Sequence, residues 1–147
     1  MEIDDINYKI MNQLQDGRKS YREIANSLSI TENTVRARVN KLTKEGIFSI
    51  SGLVNPDKIS DYTIAFVGVR IKNLRSLDQA EKISKLKGVV SVSVVTGRFD
   101  IIMLIMISKE FGLYEFYSNE MSKIDDVASV ETFIPYESYN LRIPFVL

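Results

Sequence analysis

Asn33, Thr34, Ala37, Asn40 and Lys41 gather amide, hydroxyl, methyl and ammonium groups within nine residues. Such groups donate and accept hydrogen bonds at base edges and are slim enough for the major groove of a duplex. Arg36 and Arg38 flank them, and no carboxylate lies among them after Glu32. From Arg18 to Lys44 there are seven basic residues (Arg18, Lys19, Arg22, Arg36, Arg38, Lys41, Lys44) against two acidic ones (Glu23, Glu32), a local surplus of five. The chain as a whole is neutral, with 19 residues of each sign. A cationic patch of this kind neutralises phosphates and gives salt-dependent affinity for double-stranded DNA. The same residues also fit a three-helix unit whose charged face is merely solvated.

Composition argues against most metalloenzyme and covalent-nucleophile chemistry. There is no Cys, so thiolate catalysis and disulfides are impossible, and no His, the commonest proton shuttle and metal ligand. No metal site and no catalytic residue is expected. Asp125-Asp126 reads as a solvated turn rather than an acid–base pair. Phe111, Tyr114, Phe116 and Tyr117 read as core and interface packing rather than a platform for stacked bases. The longest apolar run, Ile101 to Ile107, has seven residues, against roughly 20 for a bilayer span. Glu2, Asp4 and Asp5 make the start acidic, unlike a signal peptide. A cytoplasmic protein without membrane partners is expected.

The elements that must position the polar set follow from apolar spacing. Ile3, Ile6, Ile10 and Leu14 predict a helix over about residues 4–15, closed by Gly17. Ser20 and Glu23 have capping-box spacing and open a second helix with Ile24, Ala25 and Leu28 inward. After a break at 28–30, Thr31 is suited to cap a third helix running to about Glu45. At about 100° per residue, Val35, Val39 and Leu42 share one side of it, and Asn33, Thr34, Ala37, Asn40 and Lys41 fall opposite. Two short helices, a tight break and a polar third helix describe a helix-turn-helix. Ile47 to Val54 alternates as a strand, giving a DNA-binding domain over 1–54. Asn55-Pro56-Asp57 opens a linker over 55–61.

Residues 62–147 contain a duplication. Ser84 to Val92 aligns with Ser122 to Val130, 38 residues later, with five of nine positions identical. In each copy a helix ends, turns and enters a strand, and each copy follows another strand, Thr63 to Lys72 or Ile101 to Ser108. The order is β-α-β, β-α-β, an α+β ferredoxin-like arrangement. Helices cover one face of such a sheet. Strands as apolar as Ile101 to Ile107 leave the other face greasy, so at least a homodimer is expected. The apolar tail, Ile143 to Leu147, should dock on its own or a neighbouring subunit.

The stretch Ile6 to Gly46, with Arg18, Glu23-Ile24-Ala25, Thr31, Val35, Arg38-Val39, Lys41-Leu42 and Gly46-Ile47, resembles the leucine-responsive regulatory protein/AsnC (Lrp/AsnC, or feast/famine) family of transcription regulators. Thr96-Gly97-Arg98-Phe99-Asp100 resembles that family's T-G-x-Y-D loop. The resemblance runs from Ile3 to about Ile134. It implies a winged helix-turn-helix joined to a ferredoxin-like sensing and oligomerisation domain, with dimers assembling to tetramers or octamers on DNA.

The resemblance further implies a free amino acid effector rather than a cofactor, bound by Val94, Val95, Thr96, Gly97, Arg98, Phe99 and Asp100. Tyr114 and Ser118, and Val130, Glu131 and Thr132, occupy the other matching places, the last three across a one-residue gap. Backbone amides of the loop would meet the α-carboxylate and an acidic group the α-ammonium. Arg98 stands where the family has an acidic or small polar residue, and Phe99 replaces Tyr. A cation at Arg98 disfavours a lysine or arginine effector and leaves an acidic, a neutral or no effector. A purely structural reading also fits: a tight turn in which Asp100 bonds its own backbone and Phe99 packs at an oligomer contact.

Three functions follow for test. One is a sequence-specific transcription regulator. Another is an architectural protein that wraps DNA with little sequence preference. The third is an enzyme, for which no residue set is found.

Overall fold

The computed structural model describes residues 3–72 and 76–147; of the acidic start, Glu2 lies outside them. The chain divides into two compact units between Gly52 and Leu53.

The first unit is three helices fixed by their caps. Asp4 caps α1 (Asp5–Gln13), its carboxylate accepting the Asn7 amide at 2.8 Å. Ser20 caps α2 (Tyr21–Leu28) in a capping box: its hydroxyl accepts the Glu23 amide at 3.2 Å, and the Glu23 carboxylate accepts the Ser20 amide at 2.7 Å. The Ser20 hydroxyl, which donates to the Glu23 carboxylate at 2.7 Å, and then the Ser20 amide hold the Glu23 carboxyl below its ordinary range. Thr31 caps α3 (Glu32–Lys44) through the Thr34 amide at 3.1 Å. α3 ends in a Schellman motif: the amides of Gly46 and Ile47 bond the carbonyls of Thr43 and Leu42 at 3.0 and 2.9 Å. Ile10, Leu14, Ile24, Ala25, Val35 and Val39 form the core beneath, and Leu42 is fully buried.

The second unit is built on a four-stranded antiparallel sheet whose strands lie in the order Val89–Val94, Ile101–Ser108, Tyr62–Ile71, Val127–Phe133. Its elements are β1 (Leu53–Val54), β2 (Tyr62–Ile71), α4 (Ser76–Ile83), β3 (Val89–Val94), β4 (Ile101–Ser108), a helical run α5 (113–123), β5 (Val127–Phe133) and β6 (Ile143–Pro144). This is the expected ferredoxin-like order. The duplication is visible in the backbone. Gly88 and Asp126 occupy equivalent positions, and both are left-handed, with φ 82° and 61°. Their carbonyls accept the amides of Met106 and Lys72 respectively. Glycine suits position 88, where a Cβ would lie 2.8 Å from the Met106 carbonyl.

Side chains alternate across the sheet. Ala65, Val67 and Val69 of β2 and Ile101, Met103, Ile105 and Ile107 of β4 pack with Ala80 and Ile83 of α4 and Phe116 and Met121 of α5. The other face is divided. Ile64, Leu104 and Met106 are covered by Ile143, with Leu141, Val146 and Leu147 packed alongside. Phe145 meets Tyr62 edge-on at 4.9 Å. The tail therefore docks on its own chain. The remaining part, Phe66, Gly68, Phe99, Ile102 and Phe133, lines an apolar hollow of about 340 Å³.

Two expectations change. The strand expected over 47–54 forms only at Leu53–Val54, because its pairing partner is β6 of the second unit. The linker expected over 55–61 folds with the second unit. Asn55 caps a 3-10 turn at Pro56–Lys58, Pro56 is buried, and Asp57 accepts the Ser138 amide at 3.2 Å.

Candidate nucleic-acid interface and sensor loop

α3 presents the polar set as its spacing requires. Val35, Val39 and Leu42 are buried, while Asn33, Ala37, Asn40 and Lys41 are exposed. Thr34 is half-buried, its hydroxyl 2.8 Å from that of Thr31. Arg22 of α2 is exposed. Arg36 bonds Glu32 at 2.7 Å and lies over the Tyr21 ring, 5.4 Å from its centroid. A cleft of about 620 Å³ is lined by Asn33, Thr34, Ala37, Arg38 and Lys41 together with Asp4 and Asn7.

Asp4 and Asn7 are the residues that sequence reasoning missed. Arg38 donates from one guanidinium nitrogen to both Asp4 oxygens, at 2.9 and 2.7 Å, and to Asn7 Oδ1 at 2.9 Å. The Asn7 amide first, and then Arg38, hold the Asp4 carboxyl below its ordinary range. The available signal was Asn7 itself, a polar residue next to Ile6 in an apolar stripe that proves 5% exposed. A buried amide requires a partner.

The loop 94–100 is closed by the Val95 amide on the Asp100 carbonyl and the Asp100 amide on the Val69 carbonyl, each 3.0 Å. Gly97 has φ 133° with open space beside it, a conformation that side chains rarely adopt. The Asp100 carboxylate accepts the Ile71 amide at 2.8 Å. It therefore ties the loop to β2 at a register irregularity, rather than bonding its own backbone. Arg98 pairs with Glu131 and lies 5.5 Å from the Phe99 ring centre. Phe99 in turn covers Gly68, where a Cβ would come within 2.6 Å of the ring. The amides of Thr96, Gly97, Arg98 and Phe99 have no acceptor among the described residues.

The other expected effector residues do not all converge within one chain. Register pairs Glu131 with Gly68, on the face that carries Phe99, whereas Val130 and Thr132 pair with Val69 and Val67 on the helix side. Thr132 meets the Tyr117 hydroxyl at 2.6 Å. Tyr114 is 77% exposed and Ser118 is exposed. Neither makes a side-chain hydrogen bond to the loop among the described residues.

Two family matches fall on the two units. The winged helix-turn-helix DNA-binding family matches residues 3–48. The Lrp/AsnC ligand binding domain matches residues 64–143, over half the chain. The chain belongs to the Lrp/AsnC family. It is 38% identical to an uncharacterised HTH-type transcriptional regulator of Pyrococcus horikoshii, over 91% of this chain and 86% of that protein. The fold matches E. coli AsnC with TM-score 0.71 and 25% identity, covering 97% of each chain. It also matches a Neisseria meningitidis transcriptional regulator solved as an L-Met complex, with TM-score 0.71, 19% identity and coverage of 99% and 96%.

This Lrp/AsnC protein is thus a DNA-binding transcription regulator with a ligand-binding domain, and not an enzyme. The architectural alternative is not favoured by relatives of this kind. No helix among the described residues is long and apolar enough to cross a membrane, and no cluster of metal-ligating residues occurs among them.

Proposed function

We propose that the protein binds specific operator sequences through α3, and that a free amino acid without a positively charged side chain modulates this. Asn33, Thr34, Ala37 and Asn40 read base edges, Lys41, Arg22 and Arg36 hold the phosphates on either side, and Arg38 meets the duplex at the edge of the arc. The observation that carries this reading is the exposed arc of α3, which holds donors, acceptors and a cation and no carboxylate of its own. A homodimer places two such helices in successive major grooves, and tetramers or octamers repeat the arrangement. The bare apolar half of the sheet supports association.

For the effector, the unengaged amides of residues 96–99 suit an α-carboxylate. Arg98 opposes a cationic side chain, and Glu131 is at hand for the α-ammonium. The L-Met complex of the Neisseria meningitidis regulator favours the amino-acid class. Selection of bound duplexes from a random library, repeated with a panel of free amino acids, tests both parts. One enriched motif whose affinity shifts with a neutral or acidic amino acid is the expected result. Enrichment of no motif overturns the operator reading, and indifference to the whole panel overturns the effector.

A further inference from the structure

Arg38 differs from the other cations near α3. Its side chain is 28% exposed, against 55% for Arg36. One of its nitrogens, with two hydrogens, faces three acceptors from α1 and its cap, Asp4 lying 34 residues away in the chain. Its remaining donors have no partner in the hydrogen bonds of the described residues. The Asp4 carboxylate lies in the cleft lined by Asn33, Ala37 and Lys41.

We propose that Asp4 is a specificity-determining residue for DNA: with Asn7 it fixes Arg38 and offsets its charge, so that Arg38 discriminates by geometry instead of serving as a loose phosphate anchor. This rests on the reading of α3 as the DNA face. The physical basis has two parts. A mobile arginine loses rotamer freedom when it binds, whereas a clamped one has already lost it and meets only sites that match its position. A carboxylate beside Arg38 also offsets the charge that Arg38 offers to any duplex, so a contact that gains only from charge loses most, while one made by matched hydrogen bonds keeps them. Asp4 therefore weakens indiscriminate binding more than binding at a matched site.

Capping of α1 is the purely structural role for Asp4, and the two roles separate cleanly. Asn and Ser cap helices about as well as Asp, so both Asp4→Asn and Asp4→Ser keep the cap and remove the charge, Asn leaving one acceptor oxygen for Arg38 in place of two. The full-length chain is titrated, over a salt series, with a duplex enriched from a random library by the unmodified protein and with a scrambled duplex of equal length. Both variants are expected to lower the ratio of enriched to scrambled affinity by about tenfold, the worth of one base contact, chiefly by tightening scrambled binding. The salt slope on scrambled DNA should steepen by about one. Lys41→Ala is the control. If it weakens both duplexes while the Asp4 variants keep the original ratio and slope, the role of Asp4 is overturned alone. If Lys41→Ala leaves both affinities unchanged, the DNA face is wrong, and the role of Asp4 is overturned with it.

Discussion

The arc of α3 and the loop 94–100 carry similar polar inventories in opposite states. On α3, Asn33, Asn40 and Lys41 face solvent and make no side-chain hydrogen bonds among the described residues. In the loop region, Arg98 is paired with Glu131, Asp100 with the Ile71 amide and Thr132 with Tyr117. The first surface is ready for a polyanion as it stands. A ligand at the second, as proposed above, would use its open amides or exchange an internal bond for an external one, which lowers affinity and makes binding selective. A reader of DNA must meet many sites quickly, whereas a sensor must ignore most of the solutes it meets.

Substitutions can break this contrast at several levels. The largest effect is expected from Leu42→Ala, which empties a fully buried position under α3. It should cost about 2–5 kcal/mol, measured by urea unfolding, and DNA affinity should fall with the folded fraction. Gly68→Val comes next. A side chain there collides with the Phe99 ring, at a cost of about 1–3 kcal/mol, and should alter the response to effector while leaving DNA binding in its absence intact. Lys41→Ala should weaken binding to all sequences and lower the salt slope by about one, read from anisotropy titrations.

Arg98→Ala removes an exposed ion pair worth about 0–1 kcal/mol, so the melting temperature should barely move. The effector panel should widen to lysine and arginine, and an unchanged panel would remove Arg98 from selectivity. The smallest effect is on the acid limb of stability. Because Glu23 is held below its ordinary range in the folded chain, its contribution is present at neutral pH and is lost as the pH falls through the carboxylate range. Glu23→Gln keeps a capping box but should show a shallower acid loss in melts across pH.

What was legible in the sequence was local or repeated. Ser20 with Glu23, and Thr31 before Val35, announce helix starts because caps act over three residues. The 38-residue repeat announces the sheet because both copies carry the same helix-to-strand turn. Long-range partners were not legible. Leu53–Val54 finds its strand partner about 90 residues later, at Ile143–Pro144. Arg38 finds Asp4 and Arg98 finds Glu131 across more than 30 residues. Periodicity shows that such residues are exposed or buried, but not which distant group neutralises them.

The divided rear face of the sheet bears on how such a chain changes over evolution. The segment 141–147 shields Leu104 and Met106, so the greasy area left bare on this face is set by which apolar side chains that segment carries. Exchanging a few residues there would redraw the bare area without altering a strand of the four-stranded sheet. The extent of bare apolar surface can therefore drift independently of both α3 and the loop 94–100.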